Sequence, residues 1–106
     1  MINLRKALQI AAKEKKKLDA EFDKTGMDII LEDYYIDCAD YYHFPYRIID
    51  RKTGKNLISY GGDPAINVTK KCGRILQEQW YFPGSDYWNA IHNGKKIGIL
   101  ENNNHE

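Results

Sequence analysis

The sequence predicts an α+β domain in which one N-terminal amphipathic helix packs on a four- to five-stranded antiparallel meander. Three observations predict it. Apolar residues recur at a 3.6-residue period near the start, where Leu4, Ala7, Leu8, Ala11, Leu18 and Phe22 fall on one side. Short runs rich in β-branched and aromatic residues follow, broken by glycine and proline. Two of the connections are near copies of each other, RKTGK at 51–55 and KKCGR at 70–74.

The helix is read over residues 3 to 23. Asn3 suits its N-cap and Gly26 its exit, while Lys15 falls at the edge of the apolar stripe, where its stem can lie along the surface. A helix with one apolar face needs a cover, and the rest of the chain reads as sheet. Strand one is expected at 27–36, strand two at 44–50, strand three at 56–60, strand four at 65–69 and strand five at 75–82. Pro45 lacks an N–H, so that end of strand two is expected at an edge or a bulge. The Gly-Gly-Asp-Pro stretch at 61–64 and the Pro83-Gly84 pair break the chain. Residues 85–93 suggest a short helical turn, KKIGIL at 95–100 a last short strand, and 101–106 a frayed tail beyond a single domain of residues 1–100.

The repeated pentapeptide raises the question of a phosphate-binding loop. A P-loop needs glycine five positions before its Gly-Lys pair and Ser or Thr after it. Before Gly54 that position is Ile49, and Asn56 follows Lys55; before Gly73 it is Val68, and the pair is Gly-Arg. Both fail. A hairpin loop, with a type I turn leading to a left-handed glycine, accounts for both.

Composition bounds the rest. The 106 residues carry 16 basic and 15 acidic side chains, a formal net charge of +1, which gives no global reason to expect nucleic acid or an anionic membrane as partner. The charge is unevenly placed: Lys13, Lys15, Lys16 and Lys17 cluster first, and Glu32, Asp33, Asp37 and Asp40 next. No segment has the length and apolarity of a membrane span, and the opening residues do not read as a signal peptide. Two cysteines, Cys38 and Cys72, fit free thiols in a reducing cytoplasm, where the Asn67-Val68-Thr69 sequon has no meaning.

Catalytic and metal patterns are sparse. His43, His92 and His105 form no short zinc spacing, so neither a metal nor a cofactor is expected. Cys72 is placed at a hairpin tip with basic neighbours, without the pocket, oriented base and oxyanion hole a nucleophile needs. Glu32 and Asp33 are adjacent along a strand, which points them to opposite faces and unsuits them for paired acid and base work. The chain is therefore read as a non-enzyme. Eight tyrosines are present, and aromatics concentrate at 34–35, 41–46 and 80–88. About half of the tyrosine rings are expected in the core, given how rings serve small sheets. The first two clusters have Asp33, Asp37 and Asp40 as neighbours, which counts against nucleic acid and suits a basic protein partner.

A helix followed by such a meander is a cystatin-like layout. The opening Leu4-Arg5-Lys6-Ala7-Leu8-Gln9-Ile10-Ala11 and the segment Pro64-Ala65-Ile66-Asn67-Val68-Thr69-Lys70-Lys71-Cys72-Gly73-Arg74-Ile75 resemble the YrhB-like immunity proteins of bacterial polymorphic toxin systems. The second segment departs from the family pattern by one residue between Val68 and Gly73. The resemblance runs over roughly residues 3 to 90 and implies a small cytoplasmic protein that binds and neutralises a cognate toxin without catalysis or cofactor. Two other readings stay open: another small inhibitor, such as a phage or host-defence module, and a cystatin-like ligand-binding domain. Nuclease toxins hold phosphates in basic sites, so carboxylates with aromatic anchors make a suitable inhibitor surface. The stretch combining both is Glu32, Asp33, Tyr34, Asp37, Asp40, Tyr41, Tyr42 and His43, the expected partner-binding residues, with Trp80 through Trp88 as the alternative.

Overall fold

The computed structural model describes residues 1–57, 64–76 and 84–99. Helix α1 (Leu4–Asp23) begins where Asn3 accepts a hydrogen bond from the Lys6 N–H at 2.9 Å. Ala7 and Ala11, one turn apart, are fully buried. Their small side chains let the helix backbone approach the sheet, while Leu4, Leu8, Ile10 and Leu18 pack around them. Lys15 bonds Asp19 one turn on at 2.9 Å, keeping its charged end at the rim of the apolar stripe.

Six strands follow: β1 (Met27–Leu31), β2 (Tyr34–Asp37), β3 (Tyr41–Asp50), β4 (Asn56–Leu57), β5 (Ala65–Thr69) and, after helix α2 (Asp86–Asn93), β6 (Lys95–Gly98). The expected α+β architecture is present, an N-terminal helix on an antiparallel open sheet. The ten-residue β3 is its centre. Along one side it pairs with β1 and then β2, along the other with β4 and then β5, and β6 lies beyond β2. The last strand thus returns to the opposite edge, against β2, and among the described residues the sheet has six strands rather than four or five. Of the fifth expected strand, Ile75 bridges Val68 and the Leu76 N–H donates to the Asn67 carbonyl at 2.9 Å. Its continuation at 77–82, the end of strand three at 58–60, the break at 61–63 and the tail at 101–106 lie outside the described residues.

Pro45 explains why expected strand one is two strands. The Glu32 N–H donates to the Pro45 carbonyl at 2.9 Å, but Pro45 has no N–H to return, so the ladder is cut at that pair. Leu31 pairs with Tyr46 and Ile36 with His43, so residues 32–35 face only residues 44 and 45. The result is a bulge of two extra residues. An even insertion keeps the side-to-side alternation in phase. Tyr35 therefore still meets Phe44 and Tyr42 beneath α1, with ring centroids 5.8 and 5.9 Å apart. Strand β3 also begins at Tyr41, three residues earlier than expected, because the aromatic run Tyr41–Phe44 pairs with β5 instead of serving as a connection.

The core sits between α1 and one sheet face: Ala7, Ala11, Tyr35, Phe44, Ile66 and Val68. Phe44 is 2 % exposed, and Phe44→Ala should cost about 3–5 kcal/mol in denaturant unfolding.

The two pentapeptides are one turn built twice. In the first, the Asp50 N–H donates to the Lys55 carbonyl at 2.9 Å and the Gly54 N–H to the Asp50 carbonyl at 2.7 Å. In the second, Thr69 and Arg74, Gly73 and Thr69 repeat both bonds at 2.9 Å. Gly54 and Gly73 have φ of 72° and 70°. They differ in surroundings. A Cβ at Gly54 meets nothing within 4 Å, whereas one at Gly73 would lie 2.8 Å from Ile10 Cδ1 on α1. Gly54→Ala should cost about 1 kcal/mol, the ordinary penalty for a side chain in the left-handed region. Gly73→Ala should cost measurably more, and equal losses in urea titration would refute the contact with the helix.

Candidate functional site

The acidic, tyrosine-rich stretch at 32–46 does not form one face. The Pro45 bulge divides it. On the bulge lie Glu32, Asp33 and Tyr34. Glu32 Oε1 sits 2.6 Å from Arg47 Nε, and the Lys96 ammonium lies 4.1 Å from the centre of the Tyr34 ring. Asp33 is exposed, and its backbone carbonyl accepts the Ile99 N–H at 2.8 Å, which ties the β6 segment to the bulge. A shallow cleft of about 180 Å³ runs between Glu32, Tyr34, Arg47 and Asn56.

The remainder of the stretch surrounds the β2–β3 hairpin. Asp37 is salt-bridged to Lys70, whose ammonium also lies 5.0 Å from the centre of the Tyr42 ring. Tyr42 packs with Tyr35 and Phe44 on the α1 side. Asp40 is exposed at the tip, and its carbonyl accepts the Lys70 N–H at 2.9 Å.

Tyr41 and His43 require a correction. They were expected on a partner-binding face, but they are 6 % and 4 % exposed, on the sheet face opposite α1. Tyr87 of α2 covers them. Its ring stacks on Tyr41 at 5.5 Å and 11°, and meets His43 edge-on at 6.2 Å. Its hydroxyl is 3.3 Å from His43 Nδ1, which is 2.6 Å from Asn67 Oδ1. The amide oxygen can only accept, so in this arrangement Nδ1 carries the proton. Asn67, 1 % exposed, was not singled out from sequence as a buried polar partner. The available signal was its alternation with Ile66 and Val68, which places it on the face away from α1. Asn67→Ala leaves His43 without this partner and should cost about 1–3 kcal/mol, read as a lowered urea midpoint.

The two hairpin tips, 38–40 and 70–74, enclose an open cleft of about 740 Å³ lined in part by Met1, Ala39, Leu76 and Arg74. Cys72 lies on it, so the expectation of a thiol without a pocket is also corrected. A hydrogen bond with the Thr69 hydroxyl, at 3.4 Å, pushes the Cys72 thiol below its ordinary value, assisted by the backbone at Arg74 and the charges of Arg74 and Lys71. Burial pushes the Cys38 thiol the other way, opposed by a hydrogen bond with Tyr41. Among the described residues no group of three or more His, Cys, Asp or Glu is placed to hold a metal ion. No helix among them is long and apolar enough to cross a membrane.

Compared with known proteins, the chain matches no family model, no curated protein and no solved structure. The site is read from its own geometry, which offers exposed charges and half-buried rings on and beside a sheet.

The thiols give a direct check. In native protein, iodoacetamide should modify Cys72 and spare Cys38, and denaturant should release the second thiol. The Cys72 rate should already level off with rising pH below the range of an ordinary cysteine. Mass spectrometry showing equal native labelling of both would contradict the burial of Cys38.

Proposed function

We propose that this chain is a non-catalytic protein of the immunity type, which binds a cognate bacterial toxin of the nuclease class and neutralises it by occlusion in the cytoplasm. The observation that carries this reading is the Pro45 bulge. It places Glu32 and Asp33 between β1 and β2 and Tyr34 at the start of β2, so two carboxylates and a ring are held in a two-residue connection tied to strands at both ends. Such a surface loses little entropy when it docks. Glu32 is paired with Arg47, and the exposed Asp33 is the carboxylate that attracts the basic surface of a phosphate-handling site, an attraction that acts chiefly on association rate. The sequence resemblance to YrhB-like immunity proteins supports the same reading.

The test uses the acids free to act. Asp37 is engaged by Lys70, so reversing its charge would disturb the hairpin as well as any interface. Asp33 and Asp40 are exposed. The double variant Asp33→Lys, Asp40→Lys should fold with a change within about 0.5 kcal/mol. With a toxin captured by the native chain from its source cell, it should associate about tenfold more slowly at low salt, with the difference shrinking as salt is added. Co-expressed with that toxin, it should protect growth less well than the native chain. A folded double variant with native association and protection would overturn the use of these acids, and a native chain that neither binds nor protects would overturn the function.

A further inference from the structure

The edge of β1 opposite β3 has no strand beside it among the described residues. Which backbone groups it presents follows from the register. The Arg51 N–H donates to Gly26 and the Glu32 N–H to Pro45, so the even-numbered residues Asp28 and Ile30 turn their peptide groups toward β3. Met27, Ile29 and Leu31 turn theirs outward. A groove of about 590 Å³ runs along this edge under the last turns of α1, lined among others by Lys15, Asp19, Asp23, Asp28 and Arg51. Ile30 is 40 % exposed beside it.

Alternating outward N–H and C=O groups at every second residue are matched by one kind of occupant, an extended chain adding as a strand. The charges say which kind of chain. Three carboxylates line the groove against two cations. Lys15 answers Asp19, and a single guanidinium, Arg51, holds both Asp23 and Asp28 at 2.9 Å. Among the residues lining the groove, the Met27 end therefore carries one negative charge in excess.

A second copy of the chain fits badly. Two-fold antiparallel pairing centred on Ile29 sets Asp28 diagonal to Glu32 of the other copy. Centring on Asp28 sets Asp28 against itself, and centring on Ile30 sets it against Glu32. Like charges at such positions destabilise a strand pair.

We propose that the β1 edge and its groove take an extended, lysine- or arginine-bearing segment of the toxin as an added strand; this rests on the binding function proposed above and names its mode of docking. The edge is first tested without the toxin, by amide NMR titration with a capped peptide of about seven residues alternating lysine with valine. The expected result is shifts concentrated at the amides of Met27, Ile29 and Leu31. They should be lost when glutamate replaces the lysines and weakened severalfold in the Asp23→Ala, Asp28→Ala variant. No shift at millimolar peptide overturns the strand site and leaves neutralisation through another face standing. Sedimentation of the free chain as a dimer, with these three amides already protected, also overturns it, because the edge then belongs to a second copy. In the toxin complex, hydrogen exchange should slow at the same three amides. A formed complex in which they exchange as in the free chain overturns this docking mode alone, whereas no complex at all overturns the mode together with the function.

Discussion

One missing hydrogen shapes this sheet. Pro45 lies in the middle of the strand that holds all the others except β6, where every other residue type would return a hydrogen bond to Glu32. Without it the β1–β2 side cannot run on in one register. The chain accommodates this by inserting two residues, and two is the smallest number that restores pairing without turning the Tyr35 side chain out of the core. The bulge also leaves the Asp33 carbonyl pointing away from β3, where the Ile99 N–H takes it. The docking of β6 on β2 continues from that bond. A local backbone defect thus sets the strand break, the position of the last strand and the outward placement of three side chains.

The other sheet face has a different chemistry for a related reason. Alternation sends Phe44, Ile66 and Val68 toward α1, and Tyr41, His43 and Asn67 away from it. A buried histidine and a buried amide are tolerated because they sit directly opposite each other in the β3–β5 register, where a cross-strand bond forms without further adjustment. Tyr87 then closes over them with a ring and a hydroxyl, so α2 meets this face through the group suited to a half-polar surface.

Much of the fold was legible because it is written in local signals. The helix period, the Asn3 cap, the two glycine hairpins and the suspicion attached to Pro45 each depend on a few neighbouring residues. What stayed hidden depends on contacts between distant residues. Tyr41 and His43 carry the same residue types whether they face solvent or α2, and only the position of Tyr87, forty-odd residues on, decides. Lys70 likewise reads as a soluble hairpin flank, yet its ammonium is held by Asp37. The acidic stretch looked continuous along the chain because the bulge that divides it arises from a proline on the neighbouring strand. Asn67 was visible only as part of an irrelevant sequon, although its alternation with Ile66 and Val68 already set it on the face away from the helix.

The edge of β1 and the bulge are consecutive in the chain, and this makes them one surface. Met27, Ile29 and Leu31 present their peptide groups, and Glu32 and Asp33 begin where Leu31 ends. At the opposite end lie Asp23 and Asp28. A strand added here would therefore meet carboxylates at both of its ends, with Arg51 and Arg47 each already engaged by a residue of this chain. Carboxylates at the ends suit attraction, which acts at a distance and sets the rate of encounter. Backbone groups in the middle suit retention, because their bonds form only at contact and only with an extended chain. The same arrangement discourages self-association, since the charges that would draw in a basic strand repel a second copy of this acidic edge.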